Sequence, residues 1–332
     1  MSKIIKHNSD FLFIYEAINC NPNGDPDQEN KPRMDYDTQT NLVTDVRVKR
    51  YIRDLFKMEG KEIFVDMEGE SKVKMDDRLK AILGRIWDKD DDMKSLINND
   101  ELFEAYKKIK DKDAEKTIKK LVNKNPTNKE VNLAILSGLV REKFVDIRLF
   151  GSAFAVDGFN RSMTGPVQLN WGYSLNKVHL QDSNTIASIM NDGNSTFGKD
   201  YRVKYSLLAF HGSINKYTAQ KTGMTTEDLA EFRKKIWDGI TANPTRTKLN
   251  QYPKLYLEVV YKDGYHNGNF GDLRNLVSVK PATRNGVQLK DEEVLNINDL
   301  ELDFAKLKAK ILDKEVIKEV IIKQVEEIEK LK

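Results

Sequence analysis

The chain has 332 residues, 39% hydrophobic and 32% charged, enough for one elaborated domain or two ordinary ones. Lys and Arg exceed Asp and Glu by only three, so a nucleic-acid partner requires positive charge segregated onto one face. A single cysteine, Cys20, excludes an internal disulfide and a cysteine-based zinc site, and no apolar run approaches the roughly 20 residues of a membrane span.

In chain order, Asp10–Ala17 (DFLFIYEA) is an aromatic-rich apolar run that reads as a buried strand. Asn21 to Asp27 (NPNGDPD) is dense in turn formers and opens a loop that continues through Lys31-Pro32-Arg33 to Leu42. Thr44 suits the N-cap of a helix running to Met58, with Gly60 stopping it. Val48, Tyr51, Ile52 and Leu55 form its apolar stripe, and Arg47, Lys49, Arg50, Arg53 and Lys57 gather on the opposite half. Lys61–Met67 reads as the next strand.

Residues 72–143 read as a charged helical insertion in which Leu79, Ile82, Leu83, Ile86 and Trp87 share a face. Asp88–Asp92 is expected to be an acidic loop, and Pro126 marks a break. Phe144–Phe150 (FVDIRLF) returns to strand, Gly158–Pro166 reads as a loop, and Val167–Ser174 and Arg202–Phe210 as strands. A helix over Thr225–Ile240 has Asp228 in the capping-box position, and Lys254–Tyr261 is a further strand. Asp313–Lys332 reads as an amphipathic helix with Val316, Ile317, Val320, Ile321, Ile328 and Leu331 on one side.

Without insertions the order is strand, helix, strand, strand, helix, strand, the split βαβ arrangement of ferredoxin-like and RNA-recognition folds. The expected class is α+β, one elaborated domain over 1–332, with a palm of 1–68 and 144–298. A helical insertion of 69–143 and a helical tail of 299–332 complete it. MSKIIKHNSD lacks the apolar core of a secretory signal, so a cytoplasmic setting is expected.

The cationic half of the 44–58 helix is the first candidate site, with no acidic partner expected at i+4 on that face. A row of cations at helical spacing replaces counterions along a polyanion without reading its sequence. Asn21, Asn23, Gly24, Lys31 and Arg33 are the second: Asn and Gly allow backbone N–H groups close to phosphate, and the two cations add charge. Gln168, Asn170 and Trp171 offer polar groups and an aromatic to a sheet face of RNA-recognition type. Arg246 and Lys248, in NPTRTKLN, lie in an exposed loop suited to RNA or DNA contact.

Asp25, Asp27, Asp35 and Asp37 in the first loop raise a rival, Mg²⁺-dependent nuclease chemistry. Against it, the loop has no fixed geometry and no supporting acid on a strand. No P-loop, GxGxxG after a strand, GxSxG, HExxH or Cys–His pairing is present. No catalytic residue, metal or cofactor is therefore expected.

NPNGDPDQENKPRMDYDT (Asn21–Thr38) followed by TDVRVKRYIRD (Thr44–Asp54) resembles the opening of the Cas-seven family, the backbone subunits of type I CRISPR Cascade, in its Csh2 and Csd2 group. The likeness resumes at DIRLFGSAFA, TGPVQLNWGYS, YSLLAFHGSIN and TGMTTEDL. Length and tail fit type I-B better than type I-C. The resemblance implies a palm, a helical "fingers" insertion and a β-hairpin "thumb", placed between Asn176 and Lys204. Ile186, Ile189, Met190 and Phe197 are its wedge candidates, with Lys199, Arg202 and Lys204 as flanking cations.

By the same resemblance, copies stack head to tail on CRISPR RNA and present it to target DNA, with the other Cascade subunits as partners and no membrane contact. Such a heterologous contact builds an open filament. The related type III backbone subunits cut target RNA with a loop aspartate, which is the alternative for this chain.

Overall fold

The computed structural model describes residues 3–68, 71–72, 75–121, 125–156, 159–181, 185–189 and 195–331. Met190 and the side chains of Ile186, Ile189 and Phe197, the wedge candidates, lie outside the described residues.

The main elements in chain order begin with β1 (Ser9–Cys20), β2 (Met34–Asp35), β3 (Thr40–Val43) and α1 (Asp45–Met58). Helices α2 (Met75–Ile86), α3 (Asp90–Ile97), α4 (Asp100–Ile109), α5 (Ala114–Leu121), α6 (Pro126–Glu142) and α7 (Val145–Phe150) follow. Then come β4 (Gly151–Val156), β5 (Phe159–Thr164), β6 (Val167–Leu169), β7 (Gly172–Ser174), β8 (Thr185–Ile189), β9 (Ser195–Lys199) and β10 (Val203–Ile214). The chain continues through α8 (Lys216–Thr222), α9 (Thr226–Ala242), β11 (Gln251–Tyr261), β12 (Ser278–Pro281), β13 (Leu300–Asp303), α10 (Ala305–Ile311) and β14 (Ile317–Gln324). Helix and a large antiparallel sheet together make an α+β fold, and among the described residues no helix is long and apolar enough to cross a membrane.

Two compact units emerge. The sheet unit comprises Lys6–Leu55, Val167–Asn215 and Arg233–Lys332. Its eight-stranded sheet runs β14-β11-β1-β10-β7-β3-β2, with β6 also on β10. β1 is buried from Ser9 to Ala17, and its Phe11–Tyr15 stretch is continuously apolar because both faces are covered. Phe11, Phe13 and Tyr15 point to one side, where Tyr15 stacks on Phe210 at 5.9 Å and Phe11 on Tyr256 at 5.7 Å. Residues of α1 and α9 are tied to this side: Gln251 donates to the Tyr51 hydroxyl at 3.1 Å, and Arg233 donates to Glu258 at 2.7 Å. Leu12 and Ile14 point to the other side, into a core closed by residues from Leu273 to Leu331.

The helical unit takes in Phe56–Pro166 and Lys216–Phe232, wider than the expected 69–143 insertion. Ile82, Leu83, Ile86, Met93, Leu96, Phe103, Tyr106, Leu139 and Ile147 form its core. Thr225 and Asp228 form the expected reciprocal cap, Asp228 N–H to Thr225 Oγ1 at 3.1 Å and Thr225 N–H to Asp228 Oδ2 at 3.0 Å. Asp228 also receives both Arg148 donors, at 2.8 and 2.7 Å.

Five sequence expectations are corrected, the first being Asp88–Asp92, whose last three residues open α3 where an acidic loop was expected. FVDIRLF forms α7 and not a strand; five of its six helical residues are buried, so neither face gives a period to read. KEIFVDM has no ladder partner across residues 61–66, and the buried Asp146 carboxylate takes the Phe64 and Val65 N–H groups at 2.9 and 3.1 Å. Phe159–Thr164 pairs with β4 where a loop was expected.

The largest correction is at the C-terminal end, where β14 replaces the expected helical tail and pairs antiparallel with β11. Its β-branched run (Val316, Ile317, Val320, Ile321, Ile322) suits a strand, and the edge of β11 needs ladder partners. β8 and β9 pair antiparallel inside the 176–204 segment expected to be a hairpin.

Deleting residues 313–332 is therefore expected to unfold the sheet unit. Val316, Ile317, Ile328 and Leu331 are buried, at about 1.5–3 kcal/mol each, against a whole-domain stability of about 5–15 kcal/mol. Size-exclusion chromatography should find aggregate; a monodisperse truncated chain with an unchanged melting temperature would contradict this packing.

Candidate nucleic-acid interface

Where β1 ends at Cys20, the Asn21–Arg33 loop folds back on itself. Asn21 donates through Nδ2 to the Asn30 carbonyl at 2.7 Å, and Arg33 N–H donates to the Asn23 carbonyl at 3.1 Å. Gly24 packs tightly on Asn30 in this closure: a Cβ there would lie 1.9 Å from Asn30 Oδ1 and 2.9 Å from its carbonyl oxygen. Asn23 Oδ1 accepts from the Thr44 N–H at 2.9 Å and from its hydroxyl at 3.0 Å, and Thr44 Oγ1 accepts from Arg47 N–H at 3.3 Å. The loop thus sets the first turn of α1 and with it Arg47. The Asn21 and Asn23 side chains build the loop itself.

Lys248, on the connection between α9 and β11, reaches the same place and donates to the Asn21 carbonyl oxygen. It lies within the influence of the Arg47 charge, and Arg47 lies over the Tyr51 ring at 4.3 Å. Neither Arg47 nor Lys248 has a carboxylate partner among the described residues. Arg47 Nε and Asn21 Oδ1 are buried without a hydrogen-bond partner. Burial first, and then the Arg47 charge, hold the Lys248 ammonium down to about 8. The Cys20 thiol beside it is pushed up to about 12 by burial, so at neutral pH it carries no charge to offset the pair. Two half-buried cations in want of a counter-charge are what an anion completes.

The rest of the expected cationic row on α1 is corrected. Lys49 pairs with Asp45 at 2.8 Å and Arg50 with Asp54 at 2.6 Å, one helical turn away in each case. Arg53 is buried, and Lys57, in the helical unit, pairs with Asp66 at 2.9 Å. The acids lay in the sequence at i,i+4 spacing, on the face read as free of them.

Asp200, a carboxylate the sequence reading passed over, joins Arg202 at 2.8 Å and Arg246 at 2.7 Å. Its acidity is raised by those two guanidinium groups, against the opposing effect of burial. Lys199 pairs with Glu29 at 3.2 Å, and Lys31 lies over Tyr201 at 4.9 Å. Lys204 is half-buried on β10.

Gln168 lies on β6, and Asn170-Trp171 forms the break between β6 and β7, both residues exposed. On the neighbouring strand β10, Leu207 and Ala209 are covered by the core closed by residues 273–331. Arg33 lies over the indole of Trp171 at 6.0 Å and also pairs with Asp25 at 3.2 Å. Among the four loop aspartates, Asp25 caps the Asp27 N–H at 3.2 Å and Asp35 caps the Asp37 N–H at 3.1 Å. Among the described residues no group of three or more His, Cys, Asp or Glu is placed to hold a metal ion.

Of the residues singled out from sequence, the sheet unit brings Asn21, Asn23, Gly24, Arg33, Arg47 and Lys248 together, with Trp171 beside Arg33. Lys248 becomes the central cation, which its place in a polar loop gave no means of ranking.

The sequence profile of the family described as CRISPR-associated protein Cas7 matches residues 7–305. A protein of Haloferax volcanii described as CRISPR-associated protein Cas7 is 29% identical over 316 residues, covering 88% of this chain and 81% of that protein. A solved structure described as CRISPR RNA-guided surveillance complex, pre-nicking, is similar at 14% identity and TM-score 0.47, covering 78% of this chain and 79% of that one. A second, described as CRISPR RNA-guided surveillance complex, has 14% identity and TM-score 0.40, covering 79% and 72%.

Proposed function

The chain belongs to the Cas7 family of CRISPR-associated proteins, and on that premise we propose that it coats CRISPR RNA as a non-catalytic backbone subunit of a type I Cascade. In this reading, copies of type I-B character stack head to tail in the cytoplasm beside the other Cascade subunits. Each leaves guide bases free to pair with target DNA, so sequence recognition belongs to base pairing and the protein grips the backbone.

The observation that carries the reading is the Arg47–Lys248 pair, two cations with no carboxylate partner among the described residues, framed by the Asn21–Arg33 loop. A phosphate supplies the missing charge and an acceptor for Arg47 Nε. The strand order β11-β1-β10-β7, with α1 after β1 and α9 after β10, supports an RRM-like palm. The 75–142 helices take the part of fingers and β8–β9 that of a thumb. Lys31, Lys49, Arg50, Lys199, Arg202, Lys204 and Arg246 lend a wider positive field, weakened where Lys49, Arg50, Lys199, Arg202 and Arg246 pair with carboxylates.

Protein purified from its host is expected to carry a discrete small RNA of uniform length, read on a denaturing gel after phenol extraction. Pure protein oligomers with no RNA would sink the coating role. The rival, type III-like cleavage of target RNA, is tested with complementary RNA and Mg²⁺. Evenly spaced cuts lost on Asp25→Ala or Asp27→Ala would establish it in place of the passive role.

A further inference from the structure

Trp171 is the feature that backbone-phosphate binding leaves unexplained. Its residue surface is 50% exposed, a costly way to carry an indole in water. The backbone that carries it is held from three directions. Arg274, itself buried and bound to Asp272, donates to the Trp171 carbonyl oxygen at 2.6 Å. Asn170 N–H donates to the His211 carbonyl at 3.0 Å. Gly172 packs so closely that a Cβ would lie 2.3 Å from the Phe210 ring, so the chain cannot turn the indole inward by shifting its register on β10. Arg33 lies over the ring, and its own backbone hangs on Asn23, the residue that positions α1 and Arg47.

We infer that Trp171 is a base-stacking platform, taking one unpaired nucleobase of the RNA whose backbone is held at Arg47 and Lys248. The inference rests on the RNA reading above and adds a base contact to it. The chemistry favours a base over a protein side chain, since a flat π-face on a fixed backbone beside cations is how sequence-tolerant single-strand contacts are made. With both faces of β1 covered, stacking of the RNA-recognition kind is displaced to the break between β6 and β7. Arg274 acts as a positioning residue through the Trp171 carbonyl.

The test uses the full chain stripped of nucleic acid at high salt, with two fluorescent single strands of equal length, one of oligouridine and one abasic. Binding is read by anisotropy, and the Trp171 signal as the emission difference between wild type and Trp171→Phe. Oligouridine is expected to quench that difference signal and the abasic strand to leave it unchanged. Trp171→Ala should weaken oligouridine binding on the order of tenfold, leave the abasic strand unaffected, and be largely rescued by Trp171→Phe.

Equal losses for both strands, or binding without quenching, would overturn the platform while leaving the RNA reading intact. A change in oligomer size on Trp171→Ala, with base-independent affinity, would mark Trp171 as a protein contact and overturn it too. Failure of either strand to bind at low salt would overturn the RNA reading and this inference with it.

Discussion

Reversing both uncompensated cations, Arg47→Glu with Lys248→Glu, is expected to remove co-purifying RNA and weaken single-strand binding by roughly a hundredfold or more. Each charge-assisted contact is worth about 1.5–3 kcal/mol, and each lost phosphate contact lowers the salt slope by about 0.7 for a single strand. Lys49→Glu with Arg50→Glu changes the formal charge equally but removes cations already neutralised by Asp45 and Asp54. It should cost far less. Filter binding across a salt series decides the matter; equal losses from the two double variants would return the interface to the outer face of α1.

The same pair has a pH signature. Lys248 titrates near 8 in the folded chain and near about 10.4 when unfolded. Between those values the unfolded chain holds the extra proton, so this group's contribution to stability rises with pH. Below about pH 8 the penalty of the buried charge is present in full. An RNA phosphate favours the protonated form, so affinity is expected to fall as pH climbs through about 8. Lys248→Met should flatten that profile and raise the melting temperature of the RNA-free chain, while reducing RNA retention. A variant that binds less RNA yet melts no higher would mean that the ammonium is not strained in the free protein.

Glu258→Ala is expected to be the most damaging single change to the sheet unit. Its fully buried carboxylate accepts from the Ser9 hydroxyl at 2.6 Å, the Tyr256 hydroxyl at 2.6 Å, and Arg233 through Nε at 2.7 Å and Nη2 at 2.8 Å. Burial and then the Glu258 charge push the Tyr256 phenol well above its ordinary value, so it remains a donor. Removing the carboxylate leaves two hydroxyl donors and a guanidinium without their acceptor, at about 3–5 kcal/mol. A fall in melting temperature of roughly 10 °C follows. Glu258→Gln keeps an acceptor and should lose less. If Glu258→Ala melts within a degree or two of wild type, as read by circular dichroism, the network contributes nothing to stability.

Features set by near neighbours in the chain were legible from residues alone. The apolar run at 10–17 reads as buried strand because both its faces are covered. Thr44 and Gly60 bracket α1, and Thr225 with Asp228 announces α9, because a cap satisfies its own helix's N–H groups within one turn. The Asn21–Arg33 segment was legible as a folded-back loop since Gly24 and the asparagines cannot propagate a regular element. Charge partnership was misjudged on α1 because like charges were gathered by face while Asp45 and Asp54, one turn away, were left out.

Ladder partners and counter-charges are settled by residues remote in sequence, and there only the folded chain decides. Residues 317–324 have spacing that fits a helix, yet the open edge of β11 offers backbone hydrogen bonds and a sheet face to cover, and these outweigh local periodicity. FVDIRLF becomes helix in surroundings that bury it nearly all round. Arg47 and Lys248 become a pair only when the α9–β11 connection folds against the end of β1, since desolvation and like-charge repulsion act through space and leave no trace in local composition.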